Sequence, residues 1–199
     1  MARDAEGFNT DLVRVAVTGT IYTAETGTEI PAAGKPADMQ KWKALGTFTD
    51  DGVEHNFEED TEEVESWGRG TVRVIVKGRT LTLKLSALES SPGVLGAFYG
   101  ATPMVDKVAK SVTLDIQPNV ARPKEAYLFE WRDGDDRVWR MFIPRGQVSE
   151  VESPKFSGGE AVSWGMTLHA LGTGGSLAQW QITDPDFYAE AAPPPEINN

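Results

Sequence analysis

The chain has 199 residues, 40% hydrophobic and 25% charged, which suits one compact domain with appendages. It has no cysteine, so disulfides, thiolate metal sites and a cysteine nucleophile are excluded, and only His55 and His169 could serve histidine chemistry. The formal net charge of −11 opposes nucleic-acid binding through the overall field, and no run approaches the roughly 18 apolar residues of a membrane span.

Residues 1–11 are polar and read as an N-terminal arm ahead of a main domain over 12–184. Trp42 and Leu45-Gly46 precede the first distinctive segment, 49–70. From Asp50 to Glu65 that segment carries Asp50, Asp51, Glu54, Glu58, Glu59, Asp60, Glu62, Glu63 and Glu65 without a single Lys or Arg. Self-repulsion predicts a long acidic inter-strand loop. Its apolar residues Val53, Phe57, Val64 and Trp67 predict that it docks on something.

Beyond the loop, period-two alternation dominates. Val72, Val74 and Val76 alternate with Arg73, Ile75 and Lys77, and Leu81, Leu83 and Leu85 with Thr82, Lys84 and Ser86. Lys77-Gly78-Arg79 reads as a tight turn between these two strands. A short helix over about 91–99 follows, capped by Ser90 or Ser91, with Pro92 at its first position and Gly100 at its stop. Val94, Leu95 and Phe98 share its apolar face. Val112, Leu114 and Ile116 alternate with Thr113, Asp115 and Gln117 as a further strand. Asp133-Gly134-Asp135-Asp136 joins a strand over 127–132 to one over 137–143. Val162, Trp164, Met166 and Leu168 define the last clear strand. Residues 185–199, with Pro193-Pro194-Pro195, read as an extended Pro-rich C-terminal arm. The expected fold class is mainly β: an antiparallel sandwich or barrel with one short packed helix, a long acidic loop and extended terminal arms.

Catalytic and ligand-binding patterns are weak. There is no Gly-x-Ser-x-Gly, and Ser163-Trp164-Gly165 sits within a strand pattern. No carboxylate pair stands out among 30 acids. Asp50-Asp51-Gly52 and Glu58-Glu59-Asp60 offer oxygen ligands without EF-hand spacing. Gly172-Thr173-Gly174-Gly175-Ser176 lacks the Lys-Ser/Thr of a phosphate loop. The tryptophans admit a sugar-binding β-sandwich, although Trp131, Trp139 and Trp164 fall on faces predicted to be dry. No enzyme activity, cofactor or metal is expected.

The stretch Trp42-Lys-Ala-Leu-Gly-Thr-Phe-Thr-Asp-Asp-Gly-Val53 leads into the acidic segment, which ends in Trp67-Gly68 before Gly70-Thr71-Val72-Arg73. A strand hairpin and Ser91-Pro92-Gly93-Val94-Leu95-Gly96-Ala97-Phe98-Tyr99-Gly100 follow. This order, over roughly Trp42 to Leu171, resembles the tail tube (major tail) proteins of long non-contractile-tailed bacteriophages. The resemblance implies hexameric rings stacked into a tube around a tape-measure protein, with a tail terminator and distal tail proteins as further partners. DNA would pass down the lumen without specific binding, and no membrane is involved. It implies a place in the virion tail after assembly in the host bacterial cytoplasm. Other virion β proteins (a terminator, a decoration protein, a contractile inner tube) and a carbohydrate-binding β-sandwich are the alternatives.

On this reading, Phe57, Val64 and Trp67 anchor the loop on a neighbouring subunit. Glu58, Glu59, Asp60, Glu62 and Glu63 would meet basic residues such as Arg69, Arg73 or Arg79 of the adjacent ring. A neutral or acidic strand face would line the lumen, with Thr113/Asp115/Gln117 and Thr82/Lys84/Ser86 as candidates.

Overall fold

The computed structural model describes residues 8–172 and 174–191. Its main element is an eight-stranded antiparallel sheet in the order β2-β1-β7-β8-β9-β4-β3, with β10 paired beside β8. The strands are β1 (Thr18–Glu25), β2 (Lys43–Ala44), β3 (Phe48–Ser66), β4 (Gly70–Ala87), β7 (Glu125–Arg132), β8 (Val138–Val151), β9 (Trp164–Ala170) and β10 (Gln179–Thr183). Two short strands, β5 (Met104–Asp106) and β6 (Ser111–Thr113), form a separate ribbon. The helices are α1 (Pro92–Tyr99) and α2 (Pro185–Ala191), with a 3-10 turn at Thr10–Leu12. The mainly-β antiparallel class expected from the alternation is the class observed.

Strand β8 is the spine. Its first half pairs with β10, and from Gly146 onward its second half pairs with β9 on the same edge. Pro144, which has no N–H to give a ladder, lies between the two pairings. The sheet curls until residues from distant strands share one core. Ile21 of β1, Phe129 of β7, Met141 of β8, Leu168 of β9 and Leu83 of β4 belong to the same buried cluster. At the seam the backbone of Leu45 donates to Ile21 O at 2.8 Å, and that of Leu88 to Thr47 O at 2.7 Å. Each fully buried leucine here contributes about 2 kcal/mol of burial free energy.

Helix α1 forms as the sequence predicts. The Ser91 hydroxyl accepts from Val94 N at 3.3 Å, Pro92 opens the helix, and Gly100 ends it at φ +68°. Val94 and Phe98 are buried, Phe98 lies edge-on to Trp164 at 5.0 Å, and the Trp164 indole N–H donates to Ser90 Oγ at 3.1 Å. A two-turn helix has little stability of its own, and these contacts fix it to the sheet.

A second, smaller core comprises Ala24, Trp42, Ala126 and Leu128, with Phe142 packed against it. The segment before Trp42 is held down by a buried charge. Arg140, 2% exposed, donates through Nε to Glu130 at 2.6 Å and through Nη2 to Lys35 O at 2.6 Å. The Gln181 amide adds a bond to Pro31 O at 3.0 Å.

Four expectations are corrected. Residues 49–70 are not a loop: β3 runs through the acidic stretch and is paired with β4 from Val53 to Ser66, after an irregularity between Phe48 and Val53. Lys77-Gly78-Arg79 is not a turn but lies within β4, with Gly78 opposite Asp60 and an irregularity in the ladder beside it. The turn is at Trp67-Gly68-Arg69, where Gly68 and Gly70 take φ of +74° and +73°. The strand expected over 112–116 shrinks to Ser111–Thr113, and Val112 and Ile116 are 48% and 58% exposed, because β6 pairs only with β5, away from the main sheet. The C-terminal arm begins as helix α2, because Asp184 caps it, accepting from the backbone of Asp186 and Phe187, and Pro185 sits at its first position. The prolines 193–195 lie outside the described residues, as do residues 1–7 of the N-terminal arm.

Candidate assembly surfaces

Strand β9 pairs with β4 only over Thr82–Ala87. Beyond that point, among the described residues, β3 and β4 pair only with each other. The pairs from Phe57–Leu81 to Ser66–Gly70 form a two-stranded ribbon that projects about 30 Å from the body. From Phe57 to Thr80 its residues are exposed except half-buried Ser66.

Asp and Glu are poor strand formers, so this strand needs help from its partner. Cross-strand pairs supply it. Arg79 bonds Glu59 at 2.8 Å, Lys77 bonds Glu62 at 2.7 Å, and the Thr71 hydroxyl donates to Glu63 at 2.7 Å. The Arg79 guanidinium also lies 5.9 Å from the Phe57 ring centre. Within the monomer Arg79 answers Glu59 of its own hairpin, and both side chains keep part of their surface exposed.

The ribbon has two distinct faces. Phe57 is opposite buried Leu81, so alternation places Phe57, Glu59, Thr61, Glu63 and Glu65 on the face continuous with the core. Val74 and Val76, opposite Glu63 and Thr61, belong to the same face and are 56% and 46% exposed. The other face carries Glu54, Glu58, Asp60, Glu62 and Val64, opposite Lys84, Thr80, Gly78, Ile75 and Arg73. Trp67 at the tip is fully exposed, and Arg69 completes the turn. The structure thus brings Phe57, Glu59 and Glu63 to one face and Glu58, Asp60, Glu62 and Val64 to the other.

The β5–β6 arm is a second projection. Its turn is stabilised by Asp106 Oδ1, which accepts from Val108 N at 2.8 Å and Ala109 N at 2.9 Å. Val105 and Val112 are paired across it and Val108 caps its tip, at 60%, 48% and 94% exposure. Thr113, Asp115 and Gln117 are exposed residues at and after its second strand, with the Gln117 amide 3.2 Å from Asp115.

At the opposite end a charged cluster joins the chain's two ends. Arg14 and Arg137 both bond Asp186, and Arg14 and the Trp139 indole bond Asp184. Hydrogen bonding from Arg14, against a desolvation penalty, holds the Asp184 carboxyl down at about 2 and raises the Arg14 guanidinium. Nothing local in the sequence marks this cluster except the Asp184-Pro185 helix start.

Among the described residues, no group of three or more His, Asp or Glu side chains is placed to hold a metal ion, and no helix is long and apolar enough to cross a membrane. His55 lies against Trp180 at 6.4 Å, and His169 is half-buried on β9 opposite Thr82.

The architecture is that of a mainly-β protein: a curled sheet that carries two exposed ribbons. The profile of the phage tail tube protein family matches residues 6–193; the chain belongs to that family and is a structural component of a phage tail. No curated protein sequence matches it. It is similar to the sheath/tube terminator of an extracellular contractile injection system (PVC, extended state), at 13% identity, TM-score 0.48 and coverage of 87% of this chain and 99% of that one. It is likewise similar to the anti-feeding prophage tube-terminating cap, at 15% identity, TM-score 0.48 and coverage of 91% and 99%. A protein from the tail of an empty GTA particle matches at 10% identity and TM-score 0.43, over 81% of this chain and 94% of that one.

Proposed function

We propose that the chain polymerises into hexameric rings that stack into the hollow tube of a long non-contractile phage tail, and that it has no catalytic role. The observation that carries this reading is the β3–β4 ribbon. A 30 Å-scale hairpin with both faces exposed and both outer edges unpaired is a poor monomer feature and a good joint. Ring closure needs one heterologous contact and stacking a second, and the ribbon and the β5–β6 arm give the chain surfaces for both.

In this reading the tube forms in the host cytoplasm around a tape-measure protein, and a tail terminator and distal tail proteins close its ends. DNA passes through the lumen without specific binding. The lumen wall is the sheet face turned from the core: Thr82, Lys84 and Ser86, continued along the ribbon by Glu54, Glu58, Asp60 and Glu62. This face is favoured over Thr113, Asp115 and Gln117, which lie at the end of the separate arm and in the segment after it. Its four carboxylates outnumber its two cations, Lys84 and Arg73, so the wall repels phosphate and lets DNA slide.

The test removes the projecting half alone. Deleting residues 58–80 and joining the paired residues Phe57 and Leu81 through an Asn-Gly turn leaves the core strands intact. The variant should fold, melt as one unit and remain a monomer in sedimentation, under conditions where the full chain forms polymers. A shortened chain that polymerises like the full one overturns the reading.

A further inference from the structure

We propose that the core-side face of the ribbon docks on the β5–β6 arm of a second copy of the chain, head to tail. The proposal rests on the tube-forming reading and names the surface that receives the ribbon.

Both surfaces are apolar where a soluble monomer should not be. The ribbon presents Phe57, Val74 and Val76 at 49%, 56% and 46% exposure. The arm presents Val105, Val108 and Val112 at 60%, 94% and 48%. Exposed apolar side chains gathered on one face in this way mark an interaction site. Among the described residues no strand covers either surface, because β9 stops short of the ribbon and β6 pairs only with β5; the segment 175–178 reaches only the base of the ribbon, beside Phe57 and Val76.

Charge decides which surface meets which. On the ribbon's core-side face, Glu63 and Glu65 flank the valines near the tip and form no ion pair among the described residues; Arg79, further down, is already engaged by Glu59. The arm's turn is flanked by Lys107 and Lys110, which also form no ion pair among the described residues, and Lys110 is held at φ +51° by the turn. Ribbon against ribbon would set carboxylates against carboxylates, and arm against arm would set lysines against lysines. Ribbon against arm sets valines against valines and two carboxylates against two ammonium groups. The contact uses different surfaces on the two copies, so it is heterologous and propagates, as a growing tube requires.

The experiment compares polymer formation by four samples: the wild-type chain, K107E/K110E, E63K/E65K, and an equimolar mixture of the two variants. All four substituted positions are exposed, and each variant should keep the wild-type melting temperature. Each variant alone now faces like charge across the joint, and its critical concentration for polymer formation should rise by about tenfold or more. In the mixture every ribbon can meet an oppositely charged arm, so polymers should return with the two chains alternating. Unimpaired assembly of K107E/K110E overturns the pairing, as does a mixture that stays as poor as its components. A wild-type chain that forms no polymer removes the tube-forming reading itself, and this pairing with it.

Discussion

Arg14 and Asp184, 170 positions apart, are joined at two points: Arg14 Nε to Asp184 Oδ2 at 2.6 Å and Arg14 Nη2 to Oδ1 at 2.9 Å. The Asp184 side chain is fully buried, and it also caps helix α2. It therefore fixes the first and last described segments to the same end of the sheet. Asp184→Asn keeps the shape but leaves the Arg14 guanidinium with Asp186 as its one remaining counter-charge among the described residues. It should cost about 3 kcal/mol in urea unfolding, with no change in the slope of the transition.

The same pair gives a pH dependence with a definite sign. The folded-state value of Asp184, about 2, lies below its ordinary 3.8. Its contribution is present above pH 4 and is lost as pH falls from about 4 to about 2, because the unfolded chain binds the proton first. The contribution is on the order of 2 kcal/mol. Thermal melts of wild type and Asp184→Asn should converge across that window, and the gap should be constant from pH 5 to 7.

Arg140 should be a second point of fragility. Arg140→Met leaves Glu130 with Arg132 as its remaining cation among the described residues and takes from the Lys35 carbonyl its side-chain donor. Removing one partner of a buried pair costs about 3–5 kcal/mol. Amide exchange over residues 31–36 should accelerate more than exchange in β4.

Exposed ribbon residues should behave in the opposite way. Trp67→Ser and the pair V74T/V76T touch no buried contact in the monomer, so melting should move by no more than about 0.5 kcal/mol equivalent. Polymer formation should fall sharply in both. A large loss of monomer stability would mean that these side chains serve the fold and not the joint.

Much of the fold was legible in the sequence. Alternating Leu81, Leu83 and Leu85 lie in the core, as do Trp164, Met166 and Leu168, and the Ser91–Gly100 helix has the caps its sequence specifies. The acidic strand was not legible as a strand. Its stability comes from Arg79, Lys77 and Thr71 on the opposite strand, and single-strand propensity cannot register such cross-strand pairs. Gly78 misled for a related reason: a glycine between charged residues signals a turn, but here it sits in mid-strand beside a ladder irregularity. The Asp184-Pro185 helix start was readable, and the proline run after it masked it. The Arg14–Asp184 and Arg140–Lys35 contacts carry no local signal, since both depend on segments that meet only in the folded chain.

Negative-stain electron microscopy of the purified full chain over a concentration series would show whether it assembles into a tube. Hollow filaments with a regular axial ring repeat should appear above a threshold concentration. A chain that remains monomeric at every concentration, or stops at isolated rings that never stack, would contradict the tube-forming role.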